Sequence, residues 1–506
     1  MKKKLLALAL LAGILCTALT ACGGGSTEKP TEDRKATNEL VVGIAQDLDD
    51  SLDPHKTVKA GTREVMFNVF EGLVKPTTDG DLTPAVAETY TVSEDRLTYT
   101  FTLREGVKYH NGDTVTAEDV VYSIERCAAA EETGIVQVEA FSNIAEITGE
   151  DRTVVIRLQE PSNEFLSYLT VAILPKDYTE QDTQPVGVGP FKFVSRTAQD
   201  NIVLEKFDEY WGTPAKLDKV TLKIVENADS LMLSLQSGAI DLCGHLTSTQ
   251  VAQLGDDFTV EVDTMKLVQA LYLNNGVKPF DDVRVRQAMY YAINVPEVIE
   301  FVCDGAGVPT GTSMYPAFKK YFVVELADKY QQDLTKAKQL LAEAGYPNGF
   351  TMTITVPGNY EQHVDTGLVL AQQLAAVGIT ADVQEVAWET WVSDVYKGSQ
   401  FEATVSGIAA SNMTAREMLE RYTTGHSKNF IKFSNQEFDD VVSRAMTTMD
   451  MDEQVTLYKR AQEILNEQAA SLWLQDLCDL VVMNTKLDGM TFYATYVLDM
   501  STIYYK

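Results

Sequence analysis

The chain has 506 residues, and its 73 acidic side chains outnumber 42 basic ones to give a formal net charge of −31. That length accommodates two or three domains. The negative field makes nucleic acid and anionic lipid surfaces poor partners and favours solubility.

Lys2, Lys3 and Lys4 precede an almost wholly apolar run, which closes on Leu19-Thr20-Ala21-Cys22. This is the order of a secretory signal over residues 1–21. A spanning helix needs about 20 apolar residues, and Thr17, Thr20 and the glycines after Cys22 cut this run short. The last four residues resemble the bacterial lipobox. That resemblance implies that Cys22 carries the diacylglyceryl group, with 22–38 as a lipidated flexible tether. The expected location is the outer face of the cell membrane, lipid-anchored, or the periplasm if the host has two membranes.

After the tether, 39–44 reads as a buried strand, 51–55 as a turn and 65–73 as a helix face. Leu97, Tyr99, Phe101 and Leu103 alternate with polar residues, which predicts a half-buried strand. Asn111-Gly112 signals a turn, and Thr116 with Asp119 signals a helix cap. Strands are expected at 154–158, 202–204 and 220–224, and a helix at 228–237. Later helices fall at 283–293, 334–344, 438–446 and 454–468, followed by a brief apolar segment at 472–477. Strand 350–356, helix 364–377 and strand 379–386 form a β-α-β unit, which implies a parallel pair. The pattern predicts an α/β protein with mixed sheets and a boundary near 274–279.

Motifs for catalysis are missing: there is no G-x-S-x-G elbow, no H-E-x-x-H and no Walker loop. The five histidines never fall at helix-face spacing, so neither a metal nor a cofactor is expected. Cys127, Cys243, Cys303 and Cys478 lie far apart without a C-x-x-C; buried free thiols are preferred to disulfides. Tyr109, His110, Asn111 and Asp113 form a polar knot, read as a strand-to-helix corner with Arg104 and Glu118 facing solvent or each other. Tyr360, Trp388, Trp391 and Trp473 either wall a cleft at the carboxyl ends of strands or fill the core.

Further segments carry a family resemblance. They include Leu52-Asp53-Pro54-His55, Phe70-Glu71-Gly72-Leu73, the knot with its flanking strand and helix, Gly187-Val188-Gly189-Pro190-Phe191, Tyr210-Trp211-Gly212, and Pro279-Phe280-Asp281-Asp282-Val283-Arg284. In this order the chain resembles the extracytoplasmic solute-binding proteins of family 5, the peptide, oligopeptide and nickel binders of ABC importers. The resemblance implies a two-lobed, type II periplasmic-binding-protein-like fold with a hinge. Lobe I would span 39–273 with an extra subdomain at about 65–180, lobe II 274–467, and 468–506 would return to lobe I. It implies no enzyme but a monomeric receptor for a small solute, a peptide in the first reading. Its partners would be a permease and its ATPase, with no nucleic acid.

The ligand candidates by position are Val58, Lys59 and Ala60 as an extended segment, Tyr360 and Trp388 as walls, and Ile408, Ala409, Ser411 and Asn412 opposite. Lys59 could meet a ligand carboxylate. Peptide binders of the family carry a Trp and an amine-pairing Asp where this chain reads Ser406-Gly407-Ile408-Ala409-Ala410-Ser411-Asn412-Met413. Either another acid (Glu385, Glu389 or Asp394) replaces that Asp, or the ligand lacks a free α-amine. A metal chelate, opine or saccharide is therefore the alternative ligand. A secreted hydrolase is the remote one.

Overall fold

The computed structural model describes residues 31–57, 59–129 and 134–506. The signal segment, the lipidation at Cys22 and the candidate Val58 lie outside the described residues.

One mixed sheet of eleven strands runs through the molecule. Glu39–Ile44 lies between the parallel strands Lys219–Ile224 and Leu242–Cys243. Asn201–Lys206 and Phe191–Thr197 extend this half antiparallel. In the other half, Ala403–Ala409 pairs with Thr351–Pro357, which pairs parallel with Thr380–Val386 across the helix Glu361–Ala375. That is the expected β-α-β unit.

Two long antiparallel strands, Phe258–Leu273 and Ser471–Asn484, join the halves. Their register breaks between Thr264 and Val268, where Lys266 has a φ of 57°. The Asp476 carboxylate fills the break, accepting the Leu267 N–H (3.2 Å) and the Thr264 hydroxyl (2.8 Å). On either side the apolar residues form separate cores. One gathers residues from Met265 to Cys478; another joins Leu40 and Val42 to Met500 and Ile503. A continuous sheet over two cores is two lobes on a hinge.

A four-stranded antiparallel sheet, in the order Ala87–Val92, Thr98–Leu103, Thr153–Leu158, Ile144–Glu150, has its own core under the helix Ala117–Ala128. Thr116 caps that helix, its hydroxyl accepting the Asp119 N–H while Asp119 accepts the Thr116 N–H.

Several expectations are corrected. The tether was to stay flexible to Asn38, but Thr31–Thr37 is helical, because Arg34 is buried in an ion pair with Asp241 (2.7 Å). The helix expected at 65–73 is Ala60–Met66. Val69, Phe70 and Leu73 are buried as the pattern demanded, but in irregular chain fixed by the Asn68 side chain, which bonds Leu498 and Met500. The segment 472–477 belongs to the fourteen-residue strand Ser471–Asn484, whose polar Gln475, Asp476 and Asp479 are buried and hid its length. Cys303 and Cys478 form a disulfide rather than free thiols; their Cα atoms stand 5.8 Å apart, within bonding reach. Cys127 and Cys243 are free and buried. Of the two alternatives for Arg104 and Glu118, Glu118 faces solvent as expected, and the two do not meet. Arg104 donates to the Ala85 carbonyl and covers the Trp211 ring, while Glu118 pairs with Lys176.

Candidate functional site: the interlobe cleft

The helix Ala60–Met66 projects lobe I toward lobe II. Gly61 lets this helix pack against its own lobe; a Cβ there would stand 2.3 Å from Gln46 Nε2. Arg63 and Phe67 of this segment, with Phe70, separate two adjoining chambers and line both. Ser411, Asn412 and Thr170 also face both. The first chamber is completed by Glu71, Tyr210, Thr495 and Asp499, the second by Glu139, Glu417, Glu420 and Lys428. Each chamber thus takes walls from both lobes.

The loop 410–413 is held from below. Thr414 caps the helix Ala415–Glu420, and Glu417 in its first turn accepts the N–H groups of Ser411 (3.0 Å) and Asn412 (2.9 Å). Asn412 in turn accepts the Thr170 hydroxyl of lobe I at 3.2 Å. Burial lowers the Arg63 pKa against the pull of Glu417, Tyr396 and Asp49. Glu417 and Tyr396 belong to lobe II, so this guanidinium reaches across the cleft.

The other carboxylates of the chambers also hold protein donors. Glu71 accepts Tyr210 (2.6 Å), Trp211 (2.6 Å) and Lys75 (2.8 Å). Asp499 accepts the Tyr493 hydroxyl at 2.8 Å and both the N–H and hydroxyl of Ser501. Glu420 accepts Arg416 at 2.6 Å. Glu139 meets His426 across the lobes at 3.2 Å.

Glu139, Glu420 and His426 have the composition of a metal site, with ligand atoms within 4.8 Å of one another. Their chemistry is different. His426 Nδ1 accepts the Lys428 N–H at 3.1 Å, which puts the proton of a neutral ring on Nε2, facing Glu139. A proton there occupies the lone pair a metal would need, and Nε2 lies 3.2 Å from Glu139 without hydrogen-bond geometry.

A second polar cluster lies beside the hinge. His245 stands 3.1 Å from Asp479 and 3.3 Å from Glu64, stacked on Tyr496. Burial opposes its charge, but the two carboxylates outweigh that and raise its pKa well above the ordinary value.

Of the candidates from sequence, Ser411 and Asn412 line both chambers. Lys59 keeps an extended backbone (φ −75°, ψ 136°) as the residue before the helix, but Ala60 already opens that helix, so no strand runs through both. Lys59 Nζ instead approaches Glu389 of lobe II at 3.6 Å. Tyr360 and Trp388 touch edge to face at 5.5 Å, but they line other depressions, Tyr360 with His245 and Trp388 with Glu385 and Glu389. Ile408 and Ala409 sit in the strand Ala403–Ala409, paired with Val268 and Leu267. Glu385 and Glu389 lie outside both chambers; Asp394 is on the far segment Trp391–Lys397, bonded to Ser393. Trp391 and Trp473 are core. Sequence reading missed Arg63, Glu71, Tyr210, Glu417 and Asp499. Phe70-Glu71 and Tyr210-Trp211 stood out only as family motifs; the capping pattern Thr414-x-x-Glu417 was the available signal for Glu417.

Two lobes on crossing strands, with a walled cleft between them, define a type II periplasmic binding fold. Solved structures share it. The periplasmic binding protein DppA from Helicobacter pylori, in complex with the peptide STSA, matches with a TM-score of 0.81 and 26% identity, over 92% of this chain and 98% of that one. AgaA from A. tumefaciens R10, in complex with agropinic acid, matches with a TM-score of 0.81 and 26% identity, over 92% and 99%. The chain belongs to the bacterial extracellular solute-binding proteins of family 5, whose family model matches residues 81–430. The glutathione-binding protein GsiB of Escherichia coli K12 is 30% identical over 456 residues, 86% of this chain and 88% of that protein. The chain is thus a substrate-binding protein of an ABC importer and acts outside the cytoplasm. Proteins of this family are transport binding proteins, not enzymes. No helix among the described residues is long and apolar enough to cross a membrane.

Proposed function

We propose that this protein captures a peptide or peptide-like solute in the interlobe cleft and delivers it to a membrane permease by hinge closure. It acts as a monomer tethered through lipid on Cys22. The observation that carries this reading is Arg63, a lobe I residue that lines both chambers and lies in the field of Glu417 and Tyr396 in lobe II. A ligand against Arg63, Ser411 and Asn412 touches both lobes at once and stabilises the closed form. A ligand can drive closure only through such differential contact. Lobe I at 39–273 and lobe II at 274–467 are the bodies that would move.

GsiB is named for glutathione and DppA is in complex with the peptide STSA, which supports the peptide reading. AgaA, at the same TM-score and identity as DppA, supports an opine as the second reading. Thermal-shift screening of the mature protein tests both. A ligand at 100 times its dissociation constant stabilises the native state by about 2.7 kcal/mol. Stabilisation by short peptides or glutathione is expected. Stabilisation by opines alone would replace the first reading with the second.

A further inference from the structure

Beyond the two chambers, a third cavity lies between the lobes. It holds about 290 Å³ and takes Ala45, Gln46 and Glu226 from lobe I and Asn359, Glu385 and Trp388 from lobe II. Gln46 also lines the depression around Glu64, His245 and Tyr496, and Tyr496 lines the first chamber, so the cavities adjoin. Gln46 is 8% exposed, and its Oε1 accepts no hydrogen bond among the described residues. Both amide atoms of Asn359 and the Trp388 indole nitrogen are likewise buried without partners. Unpaired buried polar atoms are rare in folded proteins, and four of them in one cavity between two lobes point to a ligand. No lysine or arginine among the described residues lines this cavity. Of its carboxylates, Glu389 stands 3.6 Å from Lys59, whereas Glu226 and Glu385 meet no cation and accept no hydrogen bond among the described residues. A Cβ on Gly358 would stand 3.0 Å from Glu385 Oε2, so this carboxylate lies over the loop that carries Asn359.

The open acceptors here are two carboxylates and an amide oxygen, while the open donors, on Trp388 and Asn359, are neutral. A ligand carboxylate alone would meet Glu226 and Glu385 as like charges. An isolated ammonium would fill the acceptors and leave the donors unmet. An α-ammonium with a carbonyl or carboxyl oxygen beside it fills both sets. We infer that this cavity holds the amino end of the solute, its α-ammonium against Glu226, Glu385 and Gln46 and the neighbouring oxygen on Trp388 or Asn359. The inference rests on the solute-binding reading above and names the ligand group within it. It also answers the question raised by Asn412: Glu385 replaces the missing amine-pairing Asp, from the strand Thr380–Val386 of the same lobe.

The test is calorimetric titration with Ser-Thr-Ser-Ala and glutathione, each beside its des-amino analogue (3-hydroxypropionyl-Thr-Ser-Ala and glutaryl-Cys-Gly), which lacks the ammonium and keeps the adjacent oxygen. Loss of the ammonium is expected to weaken binding at least about 10-fold, the scale of a lost charge-assisted bond. Glu385→Gln and Glu226→Gln should each shrink that amine-to-des-amino ratio several-fold, and the double variant should nearly abolish it. Glu94→Gln, which removes an exposed acid of the four-stranded subdomain, should leave the ratio unchanged. The ratio is taken within each variant, so a general loss of stability does not mimic the result. A des-amino analogue that binds as tightly as its parent overturns this inference alone, as does a ratio that survives the double variant. Failure of every form to bind overturns the peptide reading, and the inference with it.

Discussion

Glu139 of lobe I and His426 of lobe II stand 3.2 Å apart across the mouth of the second chamber, the nearby imidazole holding the Glu139 pKa below the usual carboxylate range against the effect of burial. This contact exists only when the lobes are together. Glu139 is 41% exposed at its side chain, so screening limits the contact to about 0.5–1 kcal/mol. His426→Gln should therefore weaken ligand affinity about 2- to 5-fold by titration calorimetry and leave the unfolding midpoint of the unliganded protein within about 2 °C. A large fall in that midpoint would mean the pair supports the fold rather than closure.

His110 predicts a different outcome. Its Nδ1 accepts the Gly187 N–H at 3.2 Å and its Nε2 donates to the Gly189 carbonyl at 3.0 Å. Gly187 must lack a side chain, since a Cβ would lie 2.1 Å from the Val69 carbonyl oxygen. Burial lowers the His110 pKa to about 4, against the bond to Gly189. The folded pKa is below the unfolded value of about 6.5, so the unfolded state binds the extra proton. The contribution is complete above pH 6.5 and fades as pH falls toward 4, by up to roughly 3 kcal/mol. His110→Ala should cost about 1–3 kcal/mol at neutral pH, and the gap to wild type should narrow on acidification, measured by urea unfolding across that window. Ligand affinity should not change; a well-folded variant that fails to bind would contradict the structural role.

These two histidines mark where the sequence was readable. His110 sits in a local motif: an alternating strand, an Asn-Gly turn and a capping box, each fixed within a few residues. His426 acts through a contact with Glu139, far away in the chain, which no spacing rule encodes. The long strands Phe258–Leu273 and Ser471–Asn484 were obscured for a related reason. Each crosses from one core to the other, so neither keeps a single buried face, and Gln475, Asp476 and Asp479 interrupt the apolar run. The chamber residues fared similarly. Ser411 and Asn412 were found because a family pattern failed there, whereas Arg63 stood in no motif and just outside the helix expected at 65–73.

The hinge should titrate in the opposite sense to His110. Burial raises the Asp476 pKa to about 7, although Thr264, Lys266 and the Leu267 N–H favour the carboxylate. The folded pKa is above the unfolded value of about 3.9, so the native state binds the extra proton between the two. Stability from this group is complete below pH 3.9 and is lost as pH rises toward 7. Asp476→Asn keeps a carbonyl for Leu267 and presents an amide to the Thr264 oxygen, without the ionisation. Relative to wild type, this variant should gain stability as pH rises from 5 to 8, read from paired urea melts. A constant difference across that range would show that Asp476 does not titrate there.

The disulfide ties the hinge to lobe II. Cys303 ends the helix Val295–Cys303, and Cys478 lies on the crossing strand between Asp476 and Asp479, 175 residues away in sequence. A bridge closing so long a loop removes many conformations from the unfolded chain, worth about 2–5 kcal/mol in a loop-entropy account. The double variant Cys303→Ser, Cys478→Ser should lower the urea midpoint accordingly, and reductant should lower the wild-type midpoint to match while leaving the variant unmoved. Cys127 and Cys243 provide the internal control. Burial raises the Cys127 thiol to about 12 and pushes Cys243 higher still, so neither should react quickly with a thiol reagent in the folded protein. If reductant shifts the variant as far as the wild type, the stabilisation does not come from this bridge.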